Sequence, residues 1–277
     1  MKFLSARRRH PLAGLVVLLL ALVVMGGLYS AFRPAAADQS GSDTALISQG
    51  RRLFVVSCAT CHGLNGEGIL TKQNTNFGPP LVGVGAAAVD FQVGTGRMPM
   101  AQPGPQAQAR TPIFDPGEVR ALAAYVASLG PGPAIPTDAQ YSTSGLTAEQ
   151  IAQGGEFFRT NCTACHNFAG KGGALPNGKY APTLIGVNPK YVIEAMITGP
   201  QQMPKFSNGV IKPQEKREII AYLQQLKSQP GYGGSKLGSL GPVTEGLWGW
   251  VLGIGVLVLA TVWISNNGAR VTKKKSQ

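Results

Sequence analysis

The sequence predicts a mostly α-helical protein, two small domains in tandem with a membrane-spanning helix at either end of the chain. Three observations lead there. A Cys-x-x-Cys-His motif occurs twice, as Cys58-Ala59-Thr60-Cys61-His62 and Cys162-Thr163-Ala164-Cys165-His166. The residues around each motif recur about 104 positions further on, an internal repeat. Two apolar runs, residues 12–32 and 247–264, adjoin clusters of basic residues.

The repeat defines the domains. Gln49-Gly50 is answered by Gln153-Gly154, and Gly66-x-Gly68 by Gly170-x-Gly172. Pro79-Pro80-Leu81-Val82-Gly83-Val84 is answered by Pro182-Thr183-Leu184-Ile185-Gly186-Val187, and Met98-Pro99 by Met203-Pro204. Before the first motif, Leu46, Ile47, Leu53, Phe54 and Val55 follow a helical period. Before the second, Thr147-Ala148-Glu149-Gln150 predicts an N-cap with a capping glutamine, followed by Ile151, Phe157 and Phe158. Each domain closes on an amphipathic helix, over 118–129 (Val119, Leu122, Ala123, Val126, Leu129) and over 215–226 (Ile219, Ile220, Leu223, Leu226). These carry the pairs Ala124-Tyr125 and Ala221-Tyr222. A further helix is expected over 189–198, with Gly- and Pro-rich loops between helices. The organisation that follows is a basic tail and apolar segment over 1–37, a domain over 45–130, and a linker over 131–145 that opens on Pro131-Gly132-Pro133. A second domain covers 146–229, a glycine-rich linker 230–246, an apolar helix 247–264 and a basic tail 265–277.

The charge belongs to topology. Of a formal net charge of +12, the largest share sits in the tails, on Lys2, Arg7, Arg8 and Arg9 and on Arg270, Lys273, Lys274 and Lys275. No basic-aromatic stripe runs between them, which speaks against nucleic acid. The run 12–32 is uncharged and about as long as a bilayer crossing, roughly 20 residues. Arginines before it keep the N-terminus cytoplasmic. A cleaved signal peptide is the alternative, with Ala35-Ala36-Ala37 as its small-residue site, although the run exceeds a usual signal core. The second run carries Trp248, Trp250 and Trp263 towards its ends and is followed by the basic tail. A buried core helix fits poorly there. Both ends are expected inside, with residues 33–245 outside the cytoplasmic membrane.

The two motifs carry the chemistry. Cys-x-x-Cys-His is the attachment signature of c-type haem: two thiols add to the porphyrin vinyl groups and the adjacent histidine ligates the iron. Cys58, Cys61, Cys162 and Cys165 would form the thioethers of two covalent haems, with His62 and His166 as proximal ligands. Two disulfides, one zinc site, or a thioredoxin-type pair would use the same cysteines. Histidine usage argues against them, because of only three histidines two directly follow a Cys pair, and the third is His10. Attachment outside the cytoplasm agrees with the topology.

Methionine supplies the sixth ligands on this reading, since His10 lies on the cytoplasmic side. Met98 and Met100 are available to the first iron, Met196 and Met203 to the second. The repeat selects Met98 and Met203, both followed by proline, while Met196 sits in an expected helix where packing suffices. Met/His ligation raises the reduction potential. Two six-coordinate irons leave no open site, and no Ser/His/Asp set, carboxylate pair or phosphate loop is seen. Gly94-x-Gly96 is too weak for a nucleotide motif, and no spare histidine exists for a dihaem peroxidase. The chain reads as an electron carrier without an independent catalytic site. Lys171, Lys179, Lys190 and Lys205, near the haem-bearing loops, would steer an acidic partner.

Each half resembles class I cytochromes c over about 85 residues: a helix into Cys-x-x-Cys-His, a Gly-Pro-x-Leu loop, a methionine, and a helix with an aromatic. The resemblance implies that the carbonyls of Pro79 and Pro182 orient His62 and His166; Ala181 departs from the family's glycine before Pro182. Nearly the full length resembles the dihaem cytochrome c subunit of actinobacterial cytochrome bc complexes, through Gly96-Arg97-Met98-Pro99-Met100, Gln202-Met203-Pro204-Lys205-Phe206 and the terminal spans. That likeness implies the electron-transfer subunit of a quinol:cytochrome c reductase, a translocase. Its partners would be a cytochrome b subunit, a Rieske iron–sulfur donor, a haem-copper oxidase as acceptor, and membrane lipid. The competing readings are a dihaem subunit of a quinoprotein dehydrogenase or an oxidase, and a freestanding membrane-anchored carrier.

Overall fold

A computed structural model describes residues 12–31, 42–73, 76–229, 237–239 and 242–274. The basic run Arg7-Arg8-Arg9, the Ala35-Ala36-Ala37 site, most of the glycine-rich linker and Lys275 lie outside the described residues. The chain divides into two compact units, 1–46 and 47–277. The first contains helix α1 (Ala13–Ala31), whose apolar stretch covers Gly14–Gly27 and is shorter than a membrane crossing.

The second unit holds both repeats apart from the first turn of the helix that opens the first one. In the first, α2 (Ser42–Ser57) runs into the one-turn α3 (Ala59–His62), then a hairpin of β1 (Ile69–Leu70) and β2 (Asn76–Gly78), α4 (Ala86–Gly94) and α5 (Pro116–Ser128). A four-residue helix, α6 (Asp138–Tyr141), follows. The second repeat has α7 (Ala148–Asn161), α8 (Thr163–His166), a hairpin of β3 (Gly173–Leu175) and β4 (Lys179–Ala181), α9 (Pro189–Thr198) and α10 (Pro213–Ser228). Where the sequence was read as Gly/Pro loops, each repeat carries a short antiparallel hairpin. These pair too few residues, Ile69 with Gly78 in one and Gly173 with Ala181 in the other, to show a period of two.

Caps fix the helix starts. Thr147 and Gln150 form the expected capping box, with Gln150 N–H to Thr147 Oγ1 at 3.3 Å and Thr147 N–H to Gln150 Oε1 at 2.9 Å. Asp115 and Glu118 cap α5 the same way, with Pro116 at the first helical position. The core of each repeat is a crossing of its first and last helices. Phe54 (1% exposed) packs on Tyr125 with centroids 5.1 Å apart; Phe158 (0%) packs on Tyr222 at 5.6 Å. Two glycines permit the crossing. A Cβ on Gly50 would stand 1.9 Å from the Ala121 carbonyl oxygen, and one on Gly154 2.1 Å from that of Glu218.

The segment 131–145, read as a linker, is a packed strap. Ala87 N–H donates to Pro133 O, and Arg217 reaches Ser142 O at 2.6 Å. Its helix was missed because four residues carry no period; the signal was Thr137 with Gln140, whose side chain accepts from the Thr137 N–H at 2.8 Å. At the C-terminal end, α11 (Pro242–Trp248), a π-helical turn over Gly249–Ile254 and α12 (Gly255–Lys274) run on. Within them Thr244–Asn267 is, among the described residues, the one helix long and apolar enough to cross a membrane. Trp248, Trp250 and Trp263 on it are exposed.

Candidate haem sites

The Cys-x-x-Cys-His spacing is one helical turn. Cys58 N–H still bonds to Phe54 O, at the end of α2, while its own carbonyl accepts from Cys61 (3.1 Å) and His62 (3.0 Å). Cys162 repeats this, with its N–H on Phe158 O and its carbonyl taking Cys165 (3.2 Å) and His166 (2.8 Å). Residues three and four apart share a helix face, so both thiols and the imidazole stand on one side.

The chain then folds back over the imidazole. Gly68 N–H bonds to His62 O at 2.7 Å and Leu81 N–H to Gly66 O at 2.7 Å; Gly172 to His166 O and Leu184 to Gly170 O follow at 2.9 and 2.8 Å. Gly68 and Gly172 have φ of 81° and 84°, a region that suits glycine. The return brings Pro79 O to 2.8 Å from His62 Nδ1 and Pro182 O to 2.9 Å from His166 Nδ1. A carbonyl only accepts, so both Nδ1 atoms carry a proton, and in a neutral ring Nε2 is then the nitrogen with the lone pair an iron requires. Burial lowers the His166 pKa, against the opposing pull of the Pro182 carbonyl, and favours the neutral ring.

The four thiols are unbridged. Burial first, and the neighbouring Cys61, push Cys58 up to about 11; burial and Cys165 do the same to Cys162. A redox-active Cys-x-x-Cys needs the opposite shift. Met98 packs on the same core cluster as Cys58, and Met203 on the same cluster as Cys162. Met196 is 3% exposed inside that second cluster, a packing residue. Thiols on one face, an oriented imidazole and a methionine on the same core cluster fit a covalent haem in each repeat.

The Ala181 departure has a local explanation. A Cβ on Gly78 would lie 1.9 Å from Cys61 O. In the second repeat that close approach to the motif passes to Gly173, whose Cβ would lie 3.0 Å from Cys165 O, and Ala181 is accommodated, 5% exposed.

Lys190, one of the four lysines expected to steer a partner, is instead turned inward, its Nζ 2.5 Å from Asp90 Oδ2. It belongs to a contact between the repeats that sequence reasoning missed. Helices α4 and α9 occupy equivalent places, and they pack together. Asp90 (5% exposed) and Glu194 (0%) are repeat counterparts in that contact, Tyr191 stacks edge-on against Phe91, and its hydroxyl donates to Gly94 O at 3.3 Å. Burial, with the adjoining Asp90 carboxyl, raises Glu194 to about 9, so Glu194 is protonated at neutral pH. A lone acid inside Val192-Ile193-Glu194-Ala195-Met196 was the available signal.

Comparison with known proteins follows the same division. Residues 47–130 match the family model described as cytochrome c, and residues 149–223 match that of cytochrome c oxidase, cbb3-type, subunit III. Cytochrome c domains indicate haem c binding. The cytochrome bc1 complex cytochrome c subunit of Mycobacterium tuberculosis is 44% identical over 95% of this chain and 93% of its own length. That of Corynebacterium diphtheriae is 42% identical over 96% and 98%. A cbb3-type cytochrome c oxidase subunit FixP of Sinorhizobium medicae is 29% identical over 65% of the chain and 60% of its own length.

Proposed function

Because the chain belongs to the actinobacterial family of cytochrome bc1 complex cytochrome c subunits, we propose that it is the dihaem electron-transfer subunit of a membrane-bound quinol:cytochrome c reductase. Electrons enter from a Rieske iron–sulfur protein, pass through two His/Met haems and leave to a haem-copper oxidase. The observation that carries the reading is the duplicated site, an imidazole tied by Nδ1 to a proline carbonyl, with a methionine packed on the same core cluster as the first cysteine of each motif.

Haem supplies a one-electron couple at each site. The residues set its terms. Cys58, Cys61, Cys162 and Cys165 bind it covalently, so it is not lost during turnover. His62 and His166 present Nε2 in one fixed tautomer, and the Pro79 and Pro182 carbonyls strengthen them as ligands. Met98 and Met203 would supply the second protein ligand of each iron, which would raise the potentials and leave no open position for dioxygen. The helix Thr244–Asn267 fastens the domains to the membrane, where partners are met at high effective concentration. An extracytoplasmic position for both domains completes the arrangement.

The match of residues 149–223 to an oxidase subunit favours one second reading, a dihaem subunit of an oxidase. Affinity purification of the tagged chain from gently solubilised membranes separates the two. Co-purification of cytochrome b and a Rieske protein, with two haems c per chain, is the expected result. An oxidase or a dehydrogenase alone in the eluate would overturn it.

A further inference from the structure

Residues 101–111 leave the Met98 segment of the first domain and reach across to the second. The loop is anchored at home. Arg110 N–H bonds to Thr95 O at 3.2 Å, Arg110 Nη2 to Pro99 O at 2.6 Å, and Gly96 lies so close that a Cβ there would stand 2.1 Å from Arg110 O. The loop's far side touches the second domain at two places. Gln106 donates through Nε2 to Tyr180 O at 2.7 Å and accepts at Oε1 from Tyr180 N–H at 2.9 Å. Gln201 donates through Nε2 to Ala107 O at 2.9 Å.

The addresses of these bonds matter. Tyr180 lies two residues before Pro182, whose carbonyl holds the His166 ring, and Gln201 lies two residues before Met203. Tyr180 presents both backbone groups to the open edge of β4, and Gln106 satisfies both at once, as a neighbouring strand would. One loop, fixed at its root to the segment that carries Met98, thus grips the proximal and distal ligand segments of the second site together. Ala107, whose carbonyl makes the second grip, is 7% exposed.

We propose that Gln106 and Gln201 are positioning residues for electron transfer between the two domains, fastening the first domain's ligand loop to both ligand-bearing segments of the second. The inference rests on the two-haem reading above. One electron passes between the domains, one iron being oxidised as the other is reduced, with no bond made or broken and no proton moved. Tunnelling falls off steeply with distance, so a separation held by these bonds keeps the rate uniform from molecule to molecule.

The test uses the full-length chain with its haems, in detergent, comparing Gln106→Ala, Gln201→Ala and the exposed neighbour Gln108→Ala as control. Three readouts apply: hydrogen exchange over α4 and α9, the magnetic interaction between the two oxidised haems by pulsed electron paramagnetic resonance, and the rate of intramolecular electron transfer after flash reduction. Gln106→Ala loses two hydrogen bonds and is expected to raise the opening of the α4/α9 contact about tenfold, the equivalent of about 1.4 kcal/mol. It should also broaden the haem–haem interaction and slow the transfer, with haem content and both potentials unchanged. Gln201→Ala should do the same to a smaller degree, and it serves should Gln106→Ala fail to fold. Values equal to those of Gln108→Ala would overturn the proposal. A haem count other than two in the unsubstituted chain would instead overturn the functional reading, and the exchange measurement would still decide whether the loop holds the domains together.

Discussion

The single hydrogen bond from His62 Nδ1 to Pro79 O, repeated at His166 and Pro182, ties up Nδ1 and leaves Nε2 as the ring nitrogen a haem iron could take. It explains why a proline-led loop stands behind each motif: the loop's carbonyl is free because no helix or strand claims it. On the proposed reading the second ligand of each iron is a methionine. Met203 packs against the core that also holds Cys162, whereas Met196 is inside that core. Met203→Ala is therefore expected to remove the methionine-to-iron charge-transfer band of one haem and to lower its potential, both measured on the purified chain. Met196→Ala should leave the band in place and destabilise the fold by about 2–5 kcal/mol, the usual range for truncating a buried methionine. An intact band in the Met203 variant would reassign the ligand. At this scale the two Cys-x-x-Cys-His turns were legible in the sequence, because haem attachment demands particular residue types at a one-turn spacing.

At the scale of elements, the helix crossing is the part that tolerates least. Gly154 faces the backbone of α10 at Glu218, so an added methyl has no side chain to push aside. Gly154→Ala sets a gain in helix propensity of about 1 kcal/mol against an overpacking cost of about 1–3 kcal/mol. The backbone contact places it at the upper end, and the melting temperature should fall. Gly104→Ala, with nothing within 4 Å of its Cβ, is the control and should not lower it. The repeat displayed Gly50 and Gly154 as paired glycines, but pairing alone does not say what a glycine is for. The same limit hid the hairpins and α6, elements of two to four residues in which neither helical nor strand period develops.

At the scale of the molecule, duplication produced a contact between like helices, and like surfaces bring like residues together. Asp90 and Glu194, counterparts in the repeat, meet where α4 packs on α9. Lys190 neutralises Asp90, and burial works against the lysine's charge but the Asp90 carboxylate holds its pKa above the usual value. Glu194 keeps a proton up to about 9. The groups that feel it are Asp90, Lys190, Tyr191 and, from α6, Tyr141. A carboxyl whose folded pKa is raised binds its proton more tightly folded than unfolded. Stability then falls as pH rises from the usual carboxylate range through about 9, and is level beyond it. Thermal unfolding followed across that window should show the decline, and Glu194→Gln should flatten it. An unaltered slope in the variant would place the titration elsewhere.

The sequence by itself determined the helical class, the duplication, the two Cys-x-x-Cys-His turns and an apolar helix near the C-terminus. Those are local facts, set by bonding geometry within one turn of helix or by apolar length. Tertiary structure decided what no local pattern encodes: that paired glycines are crossing points, that 131–145 is a strap, that Lys190 faces inward, and that Gln106 lies on Tyr180, 74 residues away. Such contacts follow from which surfaces remain after each domain has closed its own core.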